Sequence, residues 1–569
     1  MAIPIPASAI ARAGAIVCLG LSLSACTAGP AGFMEPESRS QSAYGAFLAA
    51  RYAGATRDVD ASARLYAEAL AFEPGSELIS ERAFLAALLA GDFDHADAVA
   101  VAAAGDQGAS RLARLYVSAA VLAGARLDPP ARDPAPDPFS AMIEEMLRAW
   151  ALVDEGRRDE ARALAAGSDT PFSVTGHLLV HRALILEAVG DFGDAERAYR
   201  SADAALGLDD FTTVLLGEFL ERRGRRDEAA RVYERRLARS PGREDPEVSQ
   251  GLQRVNERGR APRFPRPDEA AARALYAPSA LLTSQAPVDY SALYLRVVQR
   301  LDTGFQRNTM ALAQMLEELT LNDEAARAYR TITDGPFSPE ASVNAAWLEF
   351  RSGARDEALD EARALVGETR REAPKLLLAD MLRASDRCDE AVTLYEDVTA
   401  ARREAGEPLD WRPLYYAGVC RQTRDGWAVA ERYYLDALEI APDEPRVLNH
   451  VGYNWIVLGE RVDEGFELVS RAARLAPDNG AILDSLGWGH FKQNRPDEAV
   501  TWLERAVERS PSDPTINWHL GDAYAAVGRE LEARFQWRRA LELDPDPREQ
   551  ALLDRRLELG FAAGPDDLE

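Results

Sequence analysis

The sequence contains very little lysine, few cysteines and a clear excess of negative charge. Lysine occurs only at Lys375 and Lys492, so chemistry that needs a reactive lysine has two candidates at most. Among 569 residues, 93 acidic and 66 basic side chains give a formal charge of -27. Because affinity for nucleic acid comes largely from cationic side chains that displace counterions, this balance argues against DNA or RNA as a partner.

The common catalytic and metal-binding motifs are also missing. There is no Gly-x-Ser-x-Gly elbow, His-Glu-x-x-His pair or Walker phosphate loop, and these are the usual signs of hydrolase and nucleotide sites. Only His177 and His181 have the four-residue spacing that places two ligands on one helical face, and no third ligand follows nearby. We therefore expect these histidines to pack or to lie at the surface, and we predict no catalytic residue, metal or cofactor.

Long hydrophobic runs are absent, but a short one follows the only charge of residues 1–25, Arg12. The run at 13–25 is too short to span a bilayer and is typical of a secretory signal. Its last residues, Leu-Ser-Ala-Cys ending at Cys26, resemble the bacterial lipobox, which implies cleavage before Cys26 and acylation of that residue. In sorted lipoproteins an aspartate after this cysteine often retains the anchor in the inner membrane, so Thr27 favours the outer membrane. The alternative is an ordinary signal peptide with an incidental cysteine.

Of four cysteines, Cys18 leaves with the signal peptide and Cys26 is the lipidation site. Cys388 and Cys420 then remain in a compartment where disulfides persist. The sequence does not show whether their Cα atoms lie within bridging distance. A disulfide and two buried thiols are both compatible with it.

The most informative pattern is an internal repeat with a nearly constant period. Two sets of residues follow it, each in steps of 34 or 35: Gly418, Gly452, Gly487 and Gly521, and Pro442, Pro477, Pro511 and Pro545. Between them, hydrophobic positions recur at three and four residues, as in amphipathic helices. The small residues let two antiparallel helices approach closely, and each proline ends the second helix.

This pattern of small, aromatic and proline positions resembles the tetratricopeptide repeat, a 34-residue helix-turn-helix unit. The register continues upstream in steps of 34 and 33, at Ala161, Ala195 and Ala229 and at Ala325, Ala358 and Ala391. The resemblance implies an all-α fold, a superhelical solenoid. An interruption of the register between Ala229 and Ala325 divides this solenoid into two halves. A C-terminal helix should cap the stack, because a repeat array exposes its last apolar face.

We divide the chain accordingly into six segments. They are a signal peptide at 1–25, a tether at 26–40, N-terminal repeats at 41–240, an irregular junction rich in arginine and proline at 241–288, C-terminal repeats at 289–546 and a capping helix at 547–563.

A solenoid of this kind has one extended concave surface, lined by the first helix of each repeat. Helical phase and the ligand-contacting positions of the family predict that this partner-binding groove contains Tyr415, Asn449, Tyr453, Asp484, Trp488, Phe491, Trp518 and Asp522. Aromatic side chains are good anchors for peptides, since they combine large apolar area with a polar edge. The alternative is that these rings pack between repeats.

Binding is therefore the predicted function, and no segment is left for a catalytic domain. We expect a non-catalytic scaffold, lipid-anchored on the periplasmic face of the outer membrane, whose partners are other envelope proteins. The chain also looks similar to tetratricopeptide lipoproteins that act as periplasmic adaptors of carboxyl-terminal processing proteases, which control cell-wall hydrolases. That similarity rests on architecture and the lipobox. The alternatives are an enzyme of cell-wall or polysaccharide metabolism and a self-assembling structural component.

Overall fold

The computed structural model describes residues 42–105, 110–128, 138–166, 175–207, 209–239, 245–279, 287–368 and 372–561. The segments predicted as signal peptide and tether, with Cys26 and Thr27, lie outside these ranges. The described residues form 29 helices and no strand, which confirms the predicted all-α fold. Within the same ranges, no helix is long and apolar enough to cross a membrane.

The chain divides between Glu361 and Ala362 into two compact units, here called unit 1 and unit 2. The helices of unit 1 are α1 (Ala43–Ala55), α2 (Val59–Phe72), α3 (Glu77–Ala90), α4 (Phe93–Ala103), α5 (Arg111–Leu122), α6 (Pro138–Asp154), α7 (Arg158–Ala166), α8 (Thr175–Val189), α9 (Phe192–Ala205), α10 (Asp210–Arg222), α11 (Arg226–Leu237), α12 (Pro246–Asn256), α13 (Pro267–Tyr276), α14 (Val288–Leu301), α15 (Gln306–Glu318), α16 (Asn322–Arg330) and α17 (Ser338–Ser352).

Helix α18 (Arg355–Glu368) crosses the boundary. The helices of unit 2 are α19 (Glu372–Ala384), α20 (Cys388–Ala405), α21 (Trp411–Asp425), α22 (Trp427–Ile440), α23 (Pro445–Leu458), α24 (Val462–Leu475), α25 (Gly480–Lys492), α26 (Pro496–Arg509), α27 (Pro514–Ala526), α28 (Glu530–Glu542) and α29 (Pro547–Leu559).

Side-chain caps set the start of successive first helices in unit 2. The Asn479 side chain accepts a hydrogen bond from the backbone N–H of Ile482, and the Asp513 side chain accepts one from that of Ile516. Such caps satisfy N–H groups that lack a partner inside the helix. Because asparagine and aspartate recur one repeat period apart, helices α25 and α27 begin at the same point of the repeat.

The repeated glycines are the points where paired helices touch. A Cβ atom at Gly521 would lie 2.5 Å from the Trp537 ring, and one at Gly487 would lie 2.6 Å from the Leu503 side chain. Both distances are too short for a real contact, so a larger residue would push the helices of a pair apart. The close approach predicted from the repeat is therefore present.

A recurring polar contact joins many of the helix pairs. A tyrosine of the second helix donates its hydroxyl proton to a glutamate of the first helix, as in Tyr199 to Glu187 (2.9 Å) and Tyr233 to Glu221 (2.8 Å). An arginine from the following helices pairs with the same glutamate: Arg222 with Glu187, and Arg254 with Glu221. Each glutamate thus connects one repeat to the next.

The segment 241–288 is not an irregular junction, because it contains the helices α12 and α13. Pro267, one of the prolines that suggested an irregular junction, stands at the first position of α13, where proline is well tolerated. Five residues of α13 are completely buried: Ala270, Ala271, Ala272, Ala274 and Leu275. Helix α13 contacts α5, α6 and α8, and α14 contacts α3 and α5. Helices α13 and α14 therefore pack against one side of the earlier helices of unit 1.

The predicted division into N-terminal repeats at 41–240 and C-terminal repeats at 289–546 also needs correction. Arg300 of α14 forms an ion pair with Asp97 of α4 (2.8 Å), and Arg327 of α16 forms one with Asp60 of α2 (2.9 Å). Because α14 and α16 contact the first repeats of the chain, they belong to the same compact unit. The boundary consequently lies within α18, well beyond the proposed junction.

The capping helix is α29, which ends at Leu559 rather than 563. It packs against α28, and its Arg556 is almost fully buried against Asp522 of α27. Asp546 starts the helix with a reciprocal capping box that involves Glu549. This helix covers the last apolar face of unit 2, as expected for a terminal cap.

Candidate binding site on the inner face of unit 2

The first helices of the repeats in unit 2 are α19, α21, α23, α25 and α27. Helix α23 contacts α25, and α25 contacts α27, in addition to the contacts within each helix pair. First helices that touch one another lie on the inner, concave side of a solenoid. We call the surface formed by these five helices the inner face.

All eight residues of the predicted groove lie on the inner-face helices. Four of them are buried, with at most 9% of their surface exposed: Tyr415, Asp484, Trp488 and Asp522. The other four are partly exposed: Asn449, Tyr453, Phe491 and Trp518. Half of the predicted set is therefore buried, and the other half is partly exposed on these helices.

Trp488 is the centre of an aromatic stack that connects two repeats. Its ring stacks on Phe491 of the same helix, with centroids 4.8 Å apart, and on His519 of the next first helix at 4.0 Å. Trp518 lies 6.0 Å away. For Trp488 the packing alternative thus describes the observed contacts. Contact of the set as a whole with a partner stays a prediction.

The two buried aspartates have internal partners. Asp522 accepts hydrogen bonds from the indole N–H of Trp537 (2.9 Å) and of Trp518 (3.1 Å), and it pairs with Arg556 (3.2 Å). Burial raises the pKa of Asp522, although Arg556 opposes this shift. Asp484 lies 2.9 Å from Nδ1 of His519. These carboxylates bind neighbouring repeats together, so they are occupied.

Asn449 and Tyr453 on α23 are better placed for a ligand. The side-chain oxygen of Asn449 is shielded from solvent and accepts no hydrogen bond within the described part of the chain. Burial raises the pKa of Tyr453, so its hydroxyl stays protonated. A polar segment that lies along α23 would supply partners for both.

Sequence reasoning missed an arginine–aromatic cluster, which we define as Arg383, Trp411, Arg412, Tyr416 and Arg446. The guanidinium carbon of Arg383 lies 4.6 Å from the centre of the Tyr416 ring. Those of Arg412 and Arg446 lie 5.8 Å and 5.9 Å from the Trp411 ring. A sequence signal existed, because Arg412 and Arg446 are one repeat period apart and therefore occupy the same position of adjacent repeats.

The structure joins Cys388 and Cys420 in a disulfide, with Cα atoms 5.2 Å apart. The bond connects the start of α20 to α21, so it links two consecutive repeats. The sequence was compatible with a disulfide or with two buried thiols, and the structure shows the disulfide.

The histidines with metal-ligand spacing lie in unit 1 and are both buried. Burial lowers the pKa of His181 to about 3, which keeps the ring neutral. Its ring meets the edge of Trp150 at 6.2 Å. In the described ranges no group of three metal-ligating side chains comes together. His177 and His181 therefore have the surroundings of core residues.

Two segments of the chain match models of the tetratricopeptide repeat, residues 212–247 and residues 485–547. The TPR repeat-containing protein PA4667 of Pseudomonas aeruginosa is 29% identical over 170 residues, which cover 29% of this chain and 28% of the relative. The anaphase-promoting complex subunit CDC16 of Saccharomyces cerevisiae is 26% identical over 178 residues, or 30% of this chain and 21% of the relative. The chain thus spans less than a third of either relative.

Among solved structures, the APC/C hetero-tetramer Cut9–Hcn1 matches 90% of this chain and 95% of the other chain, with 13% identity and a TM-score of 0.38. The repeat models and the repeat-containing relative support the predicted repeat family. Repeats of this family are scaffolds for protein–protein interaction and are typically non-catalytic.

Proposed function

Because the chain carries tetratricopeptide repeats, which imply a protein-interaction scaffold, we propose that it is a lipid-anchored scaffold of the bacterial envelope that binds segments of other proteins on the inner face of unit 2. One observation carries this proposal. The inner face of unit 2 presents partly exposed aromatic, amide and arginine side chains, whereas α13 and α14 fill the stack of unit 1.

Two features support the envelope location. The residues before Cys26 resemble a lipobox, and the acyl chains added there would each contribute about 0.8 kcal/mol per buried methylene to membrane binding. The disulfide between Cys388 and Cys420 is of the kind that persists in oxidising compartments and is rare in the cytosol. A periplasmic face suits both features.

The partner that we would test first is a carboxyl-terminal processing protease or the cell-wall hydrolase that it degrades. This choice rests on the similarity of the chain, in architecture and lipobox, to adaptors of such proteases. An adaptor increases the local concentration of enzyme and substrate by holding both.

The anchor is tested by replacing the acylated residue. Cells that express the full chain or the Cys26→Ser variant are grown with alkyne-palmitate and then fractionated. We expect label and membrane association for the natural chain, and the loss of both for the variant. A variant that stays labelled and bound to membranes would exclude Cys26 as the anchor.

The binding face is tested by photo-crosslinking in intact cells. A photoreactive amino acid at position 449 of the inner face should give discrete protein adducts. The matched control is position 501, an exposed threonine on the second helix α26. Equal adducts at both positions, or none at 449, would contradict binding on the inner face.

A further inference from the structure

Arginines gather on the inner face of unit 2 in a chain whose formal charge is -27. They come from three consecutive first helices: Arg383 from the end of α19, Arg412 from the start of α21 and Arg446 from the start of α23. Tyr415 packs between the two rings of the cluster, with centroids 5.7 Å from Trp411 and 5.4 Å from Tyr416. The rings of Trp411, Tyr415 and Tyr416 therefore form one packed layer, here called the aromatic base, beneath arginines from three repeats.

Arg446 is exposed and forms no ion pair with any described residue. Its guanidinium lies over the Trp411 ring and donates to the Tyr416 hydroxyl at 3.5 Å. The nearby Glu444 carboxylate is engaged as the helix cap, because it accepts the backbone N–H of Arg446 at 3.3 Å. The fork of N–H donors on Arg446 is thus available to an acceptor from outside.

The other carboxylates near the cluster are also engaged. Asp410 caps α21 and pairs with Arg412 at 3.0 Å. Asp380 accepts the hydroxyl of Tyr395 at 2.6 Å and lies 3.8 Å from Arg383, beyond hydrogen-bond distance. Arg412 and Arg383 therefore each form an ion pair with a carboxylate, at 3.0 Å and 3.8 Å, and Arg446 has no such partner within the described ranges.

A further cation continues this pattern along the inner face. The ammonium of Lys492, one of the two lysines of the chain, lies 5.7 Å from the centre of the Trp488 ring. Lys492 likewise forms no ion pair with a described residue. An extended ligand that begins at Arg446 and follows α23 and α25 would meet Asn449, Tyr453 and then Lys492.

We propose that the inner face of unit 2 binds an extended protein segment whose carboxylates engage Arg383, Arg446 and Lys492. This inference rests on the proposed scaffold function and names the class of its ligand, an acidic peptide. Arginine binds carboxylates through paired, charge-assisted hydrogen bonds, and arginine, tyrosine and tryptophan are the residues enriched at binding hot spots. The aromatic base orients the guanidinium groups before the ligand arrives, which reduces the entropy cost of binding.

The test measures fluorescence anisotropy of labelled ten-residue peptides with the purified full chain. One peptide alternates glutamate and alanine around a central tyrosine, and the matched peptide has glutamine in place of each glutamate. We expect the acidic peptide to bind at least tenfold more tightly, with affinity falling as salt rises. The Arg446→Gln and Arg383→Gln variants should each weaken its binding about tenfold, and Lys492→Gln should weaken it less.

The matched control is Arg505→Gln. Arg505 is exposed on the second helix α26 and lies 4.5 Å over the Trp502 ring, so it has the same arginine–aromatic geometry away from the inner face. This variant should bind the acidic peptide like the natural chain. Thermal melting followed by circular dichroism checks that each variant is folded.

Three outcomes would overturn the proposal. They are equal binding of the acidic and glutamine peptides, equal weakening by Arg505→Gln, and displacement of the acidic peptide by polygalacturonate at equal carboxylate concentration, which would assign the cations to an anionic glycan. Equal binding of both peptides that is lost on Asn449→Ala leaves the scaffold function intact and removes only the acidic class. Absence of crosslinks at position 449 would instead remove the scaffold function.

Discussion

Buried ionisable residues hold the repeats of unit 2 together at the scale of single side chains. Asp522 joins two tryptophans and Arg556, and so connects α27, α28 and α29 through one carboxylate. Helical phase places Asp522 in the predicted groove, whereas the structure buries it against α28 and α29. Helical phase does not reveal the buried arginine one repeat period later, because that contact depends on how the capping helix docks.

We expect Asp522→Ala to lower the free energy of unfolding by about 3–5 kcal/mol, since it leaves the Arg556 guanidinium buried without its partner. Urea unfolding followed by circular dichroism measures the change. As a control, Asp478→Ala removes an exposed pair with Arg509 and should cost less than about 1 kcal/mol. Equal losses in the two variants would show that the buried pair has no special role.

A second prediction concerns His181, whose pKa burial lowers to about 3. In the unfolded chain a histidine has a pKa near 6.5, so below that pH only the unfolded state gains a proton here. The stabilising contribution is complete above pH 6.5 and is lost as the pH falls, by about 2 kcal/mol between pH 7 and 5. Urea unfolding at both pH values should show a smaller decrease for His181→Gln. Identical pH dependence would contradict the assignment.

Contacts between helices decide what could be predicted at the scale of elements. The repeat register predicts the pairs from α21 to α28, because each depends on residues close in sequence, such as Gly521 and Trp537. Helix α13 escaped prediction, since three prolines lie before or at its start and the helix is too short to show a clear period. The alanines of α13 are buried by contacts with α5, α6 and α8, which lie far earlier in the chain and are not indicated by the local sequence.

The binding site shows the same limit. Periodicity selects the side of α25 that carries Trp488, but it does not tell that His519 of the next repeat covers the ring. The arginine–aromatic cluster combines three helices, and its geometry depends on the 39-residue step between Ala391 and Ala430, which no regular repeat specifies.

The disulfide between α20 and α21 gives a prediction at this scale. It closes a loop of about 33 residues, which should stabilise the folded state by about 3–4 kcal/mol through the entropy of the unfolded chain. We expect a reductant or the Cys388→Ser variant to lower the melting temperature of unit 2. Reductant should have no effect on Cys388→Ser. A natural chain that melts at the same temperature with and without reductant would contradict this role.

For the whole molecule, the two compact units have separate buried cores. Leu275 lies in the core of unit 1, and Leu503 lies in a core of unit 2. The sequence predicts two halves but places their boundary too early. The reason is that α14 and α16 pack on the first repeats through contacts between residues very far apart in the chain, such as Arg300 with Asp97.

Calorimetry of the full chain should therefore show two thermal transitions. Truncation of a buried leucine to alanine costs about 2–5 kcal/mol. We expect Leu275→Ala to lower one transition and Leu503→Ala to lower the other. A single transition that both variants shift by the same amount would show that the chain unfolds as one cooperative body.

The insertion of α13 among α5, α6 and α8 also constrains the order of events during biosynthesis. The helices that receive it are synthesised first, and their apolar sides have no cover until residues 267–301 arrive. Contacts of such long sequence separation form slowly, and the waiting intermediate is prone to aggregation. If the chain is secreted across the inner membrane as proposed, α5, α6 and α8 emerge before the helices α13 and α14 that cover them. We therefore expect newly secreted chains to depend on a periplasmic holding chaperone.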